Sequence, residues 1–133
     1  MARPRNPGPT ERELAILQVL WECGDCTVRQ IQDKLQSGRN SNSTTGYTTT
    51  LKIMQIMFEK KLLKRDELGH AHVYRAAVTR DRTQRKIVGR MLDQVFGGSA
   101  QRLVLHALSA RKSTPEEQAE IRALLDEIEG DNQ

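Results

Sequence analysis

A helical pattern that runs directly into a two-strand pattern most constrains how this chain folds. Within residues 44–78, apolar side chains recur at helical spacing, namely at Leu51, Ile53, Met54, Met57 and Phe58. Residues 63–67 and 71–75 then predict two strands, joined through Gly69, which can adopt positive φ. The stretch therefore predicts one amphipathic helix followed by a short β-hairpin.

The face of this helix opposite to the apolar stripe is polar and carries a cation. Its residues are Thr48, Thr49, Lys52 and Gln55. A hydroxyl can bond a base edge or a phosphate, and an ammonium neutralises a phosphate, so such a face suits a DNA major groove. An ordinary solvated helix face has the same composition, and that alternative remains open at this point.

The predicted hairpin favours the DNA-binding interpretation because it is basic. Lys60 and Lys61 precede its first strand, and Lys64 and Arg65 lie within that strand. His70 and His72 are two residues apart, so on a strand they would face the same side, toward a phosphate or solvent. Metal binding by them is disfavoured, since no nearby Cys or acidic pair has suitable spacing. A helix followed by a basic hairpin predicts a winged helix-turn-helix.

Two further helices are predicted before this stretch, and each opens with a reciprocal cap. Thr10 with Glu13 forms one such capping box, and Thr27 with Gln30 forms the other. Residues 1–9 are rich in Pro, Gly and Arg and lack periodicity, which predicts a disordered basic arm.

Three more amphipathic helices are predicted after the hairpin. They form a predicted helical domain over 79–130, which leaves 10–78 as the winged-helix domain. The last helix opens with a capping box of Thr114 and Glu117, and Gly130 is a candidate for its end. So small a unit cannot bury their apolar faces alone, so we predict a two-fold homodimer. The predicted dimerisation residues are Ile87, Met91, Leu92, Val95, Leu103, Val104, Leu108, Ile121, Leu124, Leu125 and Ile128. The predicted fold is mainly α with a small β-hairpin wing.

Charge is distributed unevenly along the chain, whose formal net charge is +4. Residues 1–112 carry 20 Lys and Arg against 10 Asp and Glu, which gives +10, whereas 113–133 carry 1 against 7, which gives −6. The basic part is where a polyanion would bind.

The two cysteines, Cys23 and Cys26, form a single CxxC pair. They predict either incidental structural thiols or a metal- or redox-responsive pair, in which the N-terminus of the second helix would lower the pKa of Cys26. No apolar run is long enough to cross a bilayer, and the N-terminus lacks the apolar core of a signal peptide, so we predict a cytoplasmic protein.

Catalytic and cofactor motifs are missing from the sequence. It has no Ser/His/Asp arrangement, no metal-binding helix motif and no phosphate-cradling glycine loop, so we predict neither an enzyme nor a cofactor. A helical protein-interaction module without DNA binding is the alternative that the amphipathic helices leave open.

Over about residues 8 to 129 the chain resembles the penicillinase repressor family, which has a copper-responsive branch. Five segments carry the resemblance, in order: ERELAILQVLWECGDCTVRQI, GYTTTLKIMQIMFEKKLLKR, GHAHVYRAAVTR, VFGGSAQRLVLHAL and STPEEQAEIRALLDEIE. The resemblance implies a dimeric repressor that binds dyad-symmetric operators. The positions that match the family's recognition helix are Thr48, Thr49, Leu51 and Lys52.

The resemblance also implies a route of derepression linked to antibiotic resistance. In the β-lactam-responsive members a membrane sensor triggers proteolysis within the dimerisation domain, at a bond that matches His106-Ala107 here. Those relatives have Asn-Phe at that bond. The alternative to a cleavage site is that His106 and Ala107 are ordinary helix residues of a dimer interface. The copper-responsive members carry a cysteine-rich tail, which this sequence lacks.

Overall fold

A computed structural model describes residues 8–37, 46–69 and 71–131, except for the side chain of Leu68. Six helices and one antiparallel hairpin follow one another in this part of the chain, which confirms the predicted fold class. Their bounds are α1 Glu11–Cys23, α2 Val28–Gln36, α3 Tyr47–Glu59, β1 Leu63–Leu68, β2 Ala71–Ala76, α4 Arg80–Gln94, α5 Ala100–Ala110 and α6 Pro115–Asp131.

Three helices begin at the capping residues that the sequence predicts. At α1 the Thr10 hydroxyl accepts from the Glu13 backbone N–H at 3.2 Å, and the Glu13 carboxylate accepts from the Thr10 N–H at 2.9 Å. The same reciprocal bonds open α2 and α6, which confirms all three predicted capping boxes. The predicted stop at Gly130 is wrong, because α6 continues to Asp131. Glycine lowers helix stability but does not by itself end a helix.

One hydrophobic core forms among α1, α2, α3 and the hairpin. Its buried apolar residues are Ile16, Leu17, Leu20, Cys26, Val28, Ile31, Met54, Met57, Leu63 and Tyr74. The core-facing side of α3 is rotated from the predicted stripe, since Leu51 and Phe58 are only half-buried whereas Thr50 is buried. Thr50 fits this environment because its hydroxyl donates to the Gly46 carbonyl at 3.0 Å.

A residue in the left-handed backbone conformation follows the end of α3 and leads into the hairpin. Lys61 adopts φ 67, and the bonds from the Lys61 N–H to the Phe58 carbonyl and from the Leu62 N–H to the Met57 carbonyl form a Schellman motif. Strands β1 and β2 then pair in register from Leu63 with Ala76 to Leu68 with Ala71, each one residue longer than predicted.

A third extended segment, which the sequence did not predict, completes this small sheet. Cys26 lies between α1 and α2 and pairs with Tyr74 of β2. The Cys26 N–H donates to the Tyr74 carbonyl at 3.0 Å, and the Tyr74 N–H donates to the Cys26 carbonyl at 2.8 Å. The hairpin is therefore anchored to the turn that joins the first two helices.

The chain divides into two compact units at Val88 and Gly89, within α4. The first unit contains the core described above. In the second unit no side chain of residues 89–131 is buried, and many apolar side chains there are open to solvent. Among the described residues, no helix combines the length and the apolar character needed to span a membrane.

Candidate nucleic-acid interface

The outer face of α3 is polar and open to solvent. Thr48, Thr49, Lys52 and Gln55 are exposed on it, because Thr50, Met54 and Met57 hold the opposite side of the helix in the core. Leu51, which was also predicted to lie in the site, is half-buried and packs against the core. The helix therefore presents hydroxyl, amide and ammonium groups along its exposed face.

The hairpin lies against the C-terminal half of α3 and carries exposed cations. The Arg65 guanidinium lies 4.2 Å from the centroid of the Phe58 ring, a cation–π contact that joins β1 to α3. Lys61 is exposed at the junction. His72 Nε2 lies 3.5 Å from a Glu67 carboxylate oxygen, whereas His70 lies outside the described residues.

Lys60 is bonded to a buried carboxylate. Its Nζ donates to both oxygens of Glu13, at 3.0 and 3.1 Å, and Glu13 is only 4% exposed. The same carboxylate caps α1, so the pair ties the start of α1 to the end of α3. Lys60 was predicted to bind DNA, but its partly exposed ammonium is bonded to the buried Glu13 carboxylate.

Replacing Lys60 by Met is expected to destabilise the fold by about 1–2 kcal/mol, because it leaves the buried Glu13 carboxylate with one fewer donor while Lys60 itself is partly solvated. Thermal unfolding monitored by circular dichroism measures the loss. The matched control is Lys61→Met, which removes the same charge from the adjacent exposed side chain and should leave stability nearly unchanged. Equal melting temperatures for wild type and Lys60→Met would contradict this role.

Two residues near the start of α3 were not predicted as part of the site. The Arg29 guanidinium, in the first turn of α2, lies 5.9 Å from the centroid of the Tyr47 ring at the start of α3. Both residues line a cavity of about 500 Å³ between α2, α3 and the hairpin, together with Gln55 and Arg65. Arg29 is the second residue of a predicted helix, which by itself is weak evidence for a binding residue. Only the fold places Arg29 next to α3.

The cysteine pair has one exposed and one buried member. Cys23 is exposed at the end of α1, and Cys26 is buried in the core. Burial raises the pKa of the Cys26 thiol, with smaller contributions in the same direction from Cys23 and Asp25. The prediction that the N-terminus of α2 lowers the pKa of Cys26 is therefore wrong. Among the described residues, no three Cys, His, Asp or Glu side chains form a group that could hold a metal.

Alkylation should distinguish the two thiols. In the native protein at pH 8, iodoacetamide is expected to modify Cys23 and to spare Cys26, because burial and the raised pKa both keep the Cys26 thiolate scarce. In urea both should react at similar rates. Peptide mass spectrometry measures the extent of modification, and native Cys26 reacting as fast as Cys23 would be inconsistent with this environment.

The His106-Ala107 bond, which was predicted as a possible cleavage site, lies inside a regular helix. His106 and Ala107 are both exposed on α5, and the His106 ring centroid lies 5.7 Å from that of Phe96. Ser99 caps this helix by accepting from the Arg102 N–H at 3.2 Å.

The predicted dimerisation residues are partly or fully open to solvent in the single chain. Half-buried are Ile87, Met91, Leu92, Leu103 and Ile121; exposed are Val95, Val104, Leu108, Leu124, Leu125 and Ile128. On α6, Leu124 is 56% and Leu125 55% exposed. On α6 the apolar residues Ile121, Leu124, Leu125 and Ile128 recur at helical spacing and form one stripe that is largely open to solvent.

Comparison with known families agrees with this architecture. A family model described as penicillinase repressor matches residues 9–127, which is most of the chain. A search of curated proteins finds no match. The family is regulatory and non-enzymatic. Its model covers the three N-terminal helices, the basic hairpin and nearly all of the helices that follow, so the chain belongs to the penicillinase repressor family of transcriptional repressors.

Proposed function

We propose that this protein is a homodimeric repressor that binds dyad-symmetric operator DNA. The observation that carries the proposal is the exposed polar face of α3, with Lys52 on it, next to a hairpin that carries Arg65. Residues 10–78 would form the DNA-binding domain and residues 79–130 the dimerisation domain, in the cytoplasm.

In this proposal α3 enters the major groove and the hairpin lies along the DNA backbone. Thr49 and Lys52 would reach base edges or nearby phosphates, because both are exposed on the outer face of the helix. Lys61 and Arg65 would contact phosphates. Lys60 is left out of the proposed contacts because its ammonium bonds Glu13.

Dimerisation follows from the apolar stripe on the helices after the hairpin. Leu124, Leu125 and Ile128 are each about half exposed in the single chain, and a second copy would remove them from water. A closed two-fold dimer would place its two α3 helices in successive major grooves roughly 34 Å apart, or a multiple of that distance, so the operator would be an inverted repeat.

Relief of repression by cleavage at His106-Ala107 is part of the proposal, with a membrane sensor protease as the partner. Both residues are exposed, which supports access. A protease binds an extended segment, so α5 would have to unfold locally first. The complete lack of buried side chains over 89–131 supports such opening, because local unfolding is least costly where few apolar contacts are lost.

Footprinting of the purified protein on DNA upstream of its own gene, at two salt concentrations, tests the repressor function. A protected inverted repeat that weakens as salt rises is expected, because phosphate contacts release counterions. If no DNA is protected, the alternative of a protein-interaction module takes precedence.

Replacing Lys52 by Ala tests the role of α3. It should weaken operator binding by about 1–3 kcal/mol if Lys52 reads a base, with little effect on non-specific DNA. If Lys52 meets only a phosphate, both DNAs should weaken alike. Fluorescence anisotropy with the two duplexes separates these outcomes, and unchanged binding to both would remove Lys52 from the interface.

A further inference from the structure

The cavity between α2, α3 and the hairpin has the composition of an anion site. We call it the wing-side groove; its polar lining consists of Thr27, Arg29, Tyr47, Gln55, Arg65 and His72. Among the described residues that line it, two are arginines and none is acidic. Asp66 would face the other side of β1, because successive strand residues alternate, and it pairs there with Arg75 at 3.1 Å. Glu67 lies on the same side as Arg65, is exposed, and has a carboxylate oxygen 3.5 Å from His72 Nε2, so the two arginines outnumber the one carboxylate beside the groove.

Both arginines of the groove lie within cation–π distance of an aromatic ring. The Arg29 guanidinium lies 5.9 Å from the Tyr47 ring centroid, and that of Arg65 lies 4.2 Å from the Phe58 ring centroid. A stacked guanidinium keeps its five N–H donors available, and its planar fork matches two phosphate oxygens. Because the 4.2 Å contact with Phe58 already restricts Arg65, binding an anion there would cost less conformational entropy than ordering a free arginine.

The groove borders the exposed face of α3. Tyr47, Leu51 and Gln55 are spaced by four residues, so they form one stripe of α3, and this stripe lines the groove. The neighbouring stripe carries Thr48 and Lys52. When a recognition helix lies in a major groove, the sugar–phosphate backbone runs along its sides, so this opening faces the path of one strand.

We propose that the wing-side groove binds one phosphodiester of the DNA backbone, clamped between Arg29 of α2 and Arg65 of β1. The inference rests on the proposed DNA-binding function and adds to it the residues that fix how the duplex is seated. Arg29 then belongs to the interface although it lies outside α3 and the hairpin. A phosphate contact carries no sequence information, so this clamp sets affinity and register and does not choose the operator.

Arg29→Gln and Arg65→Gln, each made in the full chain, test the clamp by fluorescence anisotropy over a series of salt concentrations. Each variant should lose roughly tenfold or more in affinity, for operator and non-specific DNA alike. The slope of log affinity against log salt should fall by about 0.9 for each bound subunit. Arg29→Lys should retain the wild-type slope because it keeps the charge.

The matched control is Lys34→Gln, which removes one positive charge from the other end of α2, outside the groove. It should keep the wild-type slope. If Arg29→Gln and Arg65→Gln also keep it while wild type binds DNA in a salt-dependent way, the clamp is refuted and the repressor function stands. If wild type itself shows no salt-dependent binding, the proposed function fails first.

A second measurement locates the phosphate. Operator duplexes that carry a neutral methylphosphonate at one linkage at a time remove single backbone charges. At the clamped linkage Arg29→Gln should lose less affinity than wild type does, since its own contact to that phosphate is already gone and only the Arg65 contact is left to remove. Strictly additive losses at every linkage would overturn the proposal.

Discussion

Replacing Leu124 and Leu125 together by Glu is expected to give a folded monomer whose operator affinity is about 10²- to 10⁴-fold lower than that of wild type. Both side chains are more than half exposed in the single chain, so the change removes only part-buried contacts from the second compact unit. Two carboxylates in the centre of a dimer interface would be desolvated without partners, which prevents association. Each monomer would then bind a single half-site.

Sedimentation and anisotropy measure the two effects separately. The matched control is Ala119→Glu with Ala123→Glu, which adds the same charge to exposed positions on the opposite face of α6. This control should remain dimeric and should lose only the small amount of DNA affinity that two added negative charges cause. A Leu124→Glu, Leu125→Glu protein that still sediments as a dimer would place the interface on other residues.

Replacing Met54 by Ala should lower the free energy of unfolding of the N-terminal unit by about 3 kcal/mol. Met54 is fully buried in the middle of α3, so its truncation removes apolar contacts and leaves a cavity in the core. Trp21 is the only tryptophan, and its ring N–H donates to the Val78 carbonyl in this unit at 3.0 Å. Urea denaturation followed by Trp21 fluorescence therefore reports the unfolding of this unit.

The control for this prediction lies two residues away on the same helix. Ile56 is 42% exposed and Met54 is fully buried, so Ile56→Ala removes less buried surface and should lower stability by only about 1 kcal/mol. Similar urea midpoints for Met54→Ala and Ile56→Ala would show that the core does not depend on this face of α3.

Local features of the fold were predictable because they depend on residues close in sequence. The capping boxes at Thr10, Thr27 and Thr114 join groups three residues apart, and all three form as predicted. Gly69 takes φ 67 in the tight connection between the strands. The stop at Gly130 failed because glycine is compatible with both a helix and its end, so its local pattern does not separate the two.

The candidate site was predicted only in part. The exposed positions of Thr48, Thr49 and Lys52 followed from helical periodicity. Lys60 and Lys61 are adjacent and both exposed, yet it is the Lys60 ammonium that the fold places on the buried Glu13 carboxylate. Counting basic residues therefore identified the basic region of the chain, but it could not distinguish a cation bonded to a buried carboxylate from one facing solvent.

The sequence by itself determined the number and order of the helices and strands, the polar face of α3 and the uneven charge, since periodicity, caps and composition are local properties. Tertiary structure alone decided which groups these elements bring together. Glu13 and Lys60 are 47 residues apart, and Arg29 faces Tyr47 only because α2 packs against α3. Burial of Cys26 likewise depends on its pairing with Tyr74. Ion pairing and desolvation depend on distances in space, which sequence separation does not specify.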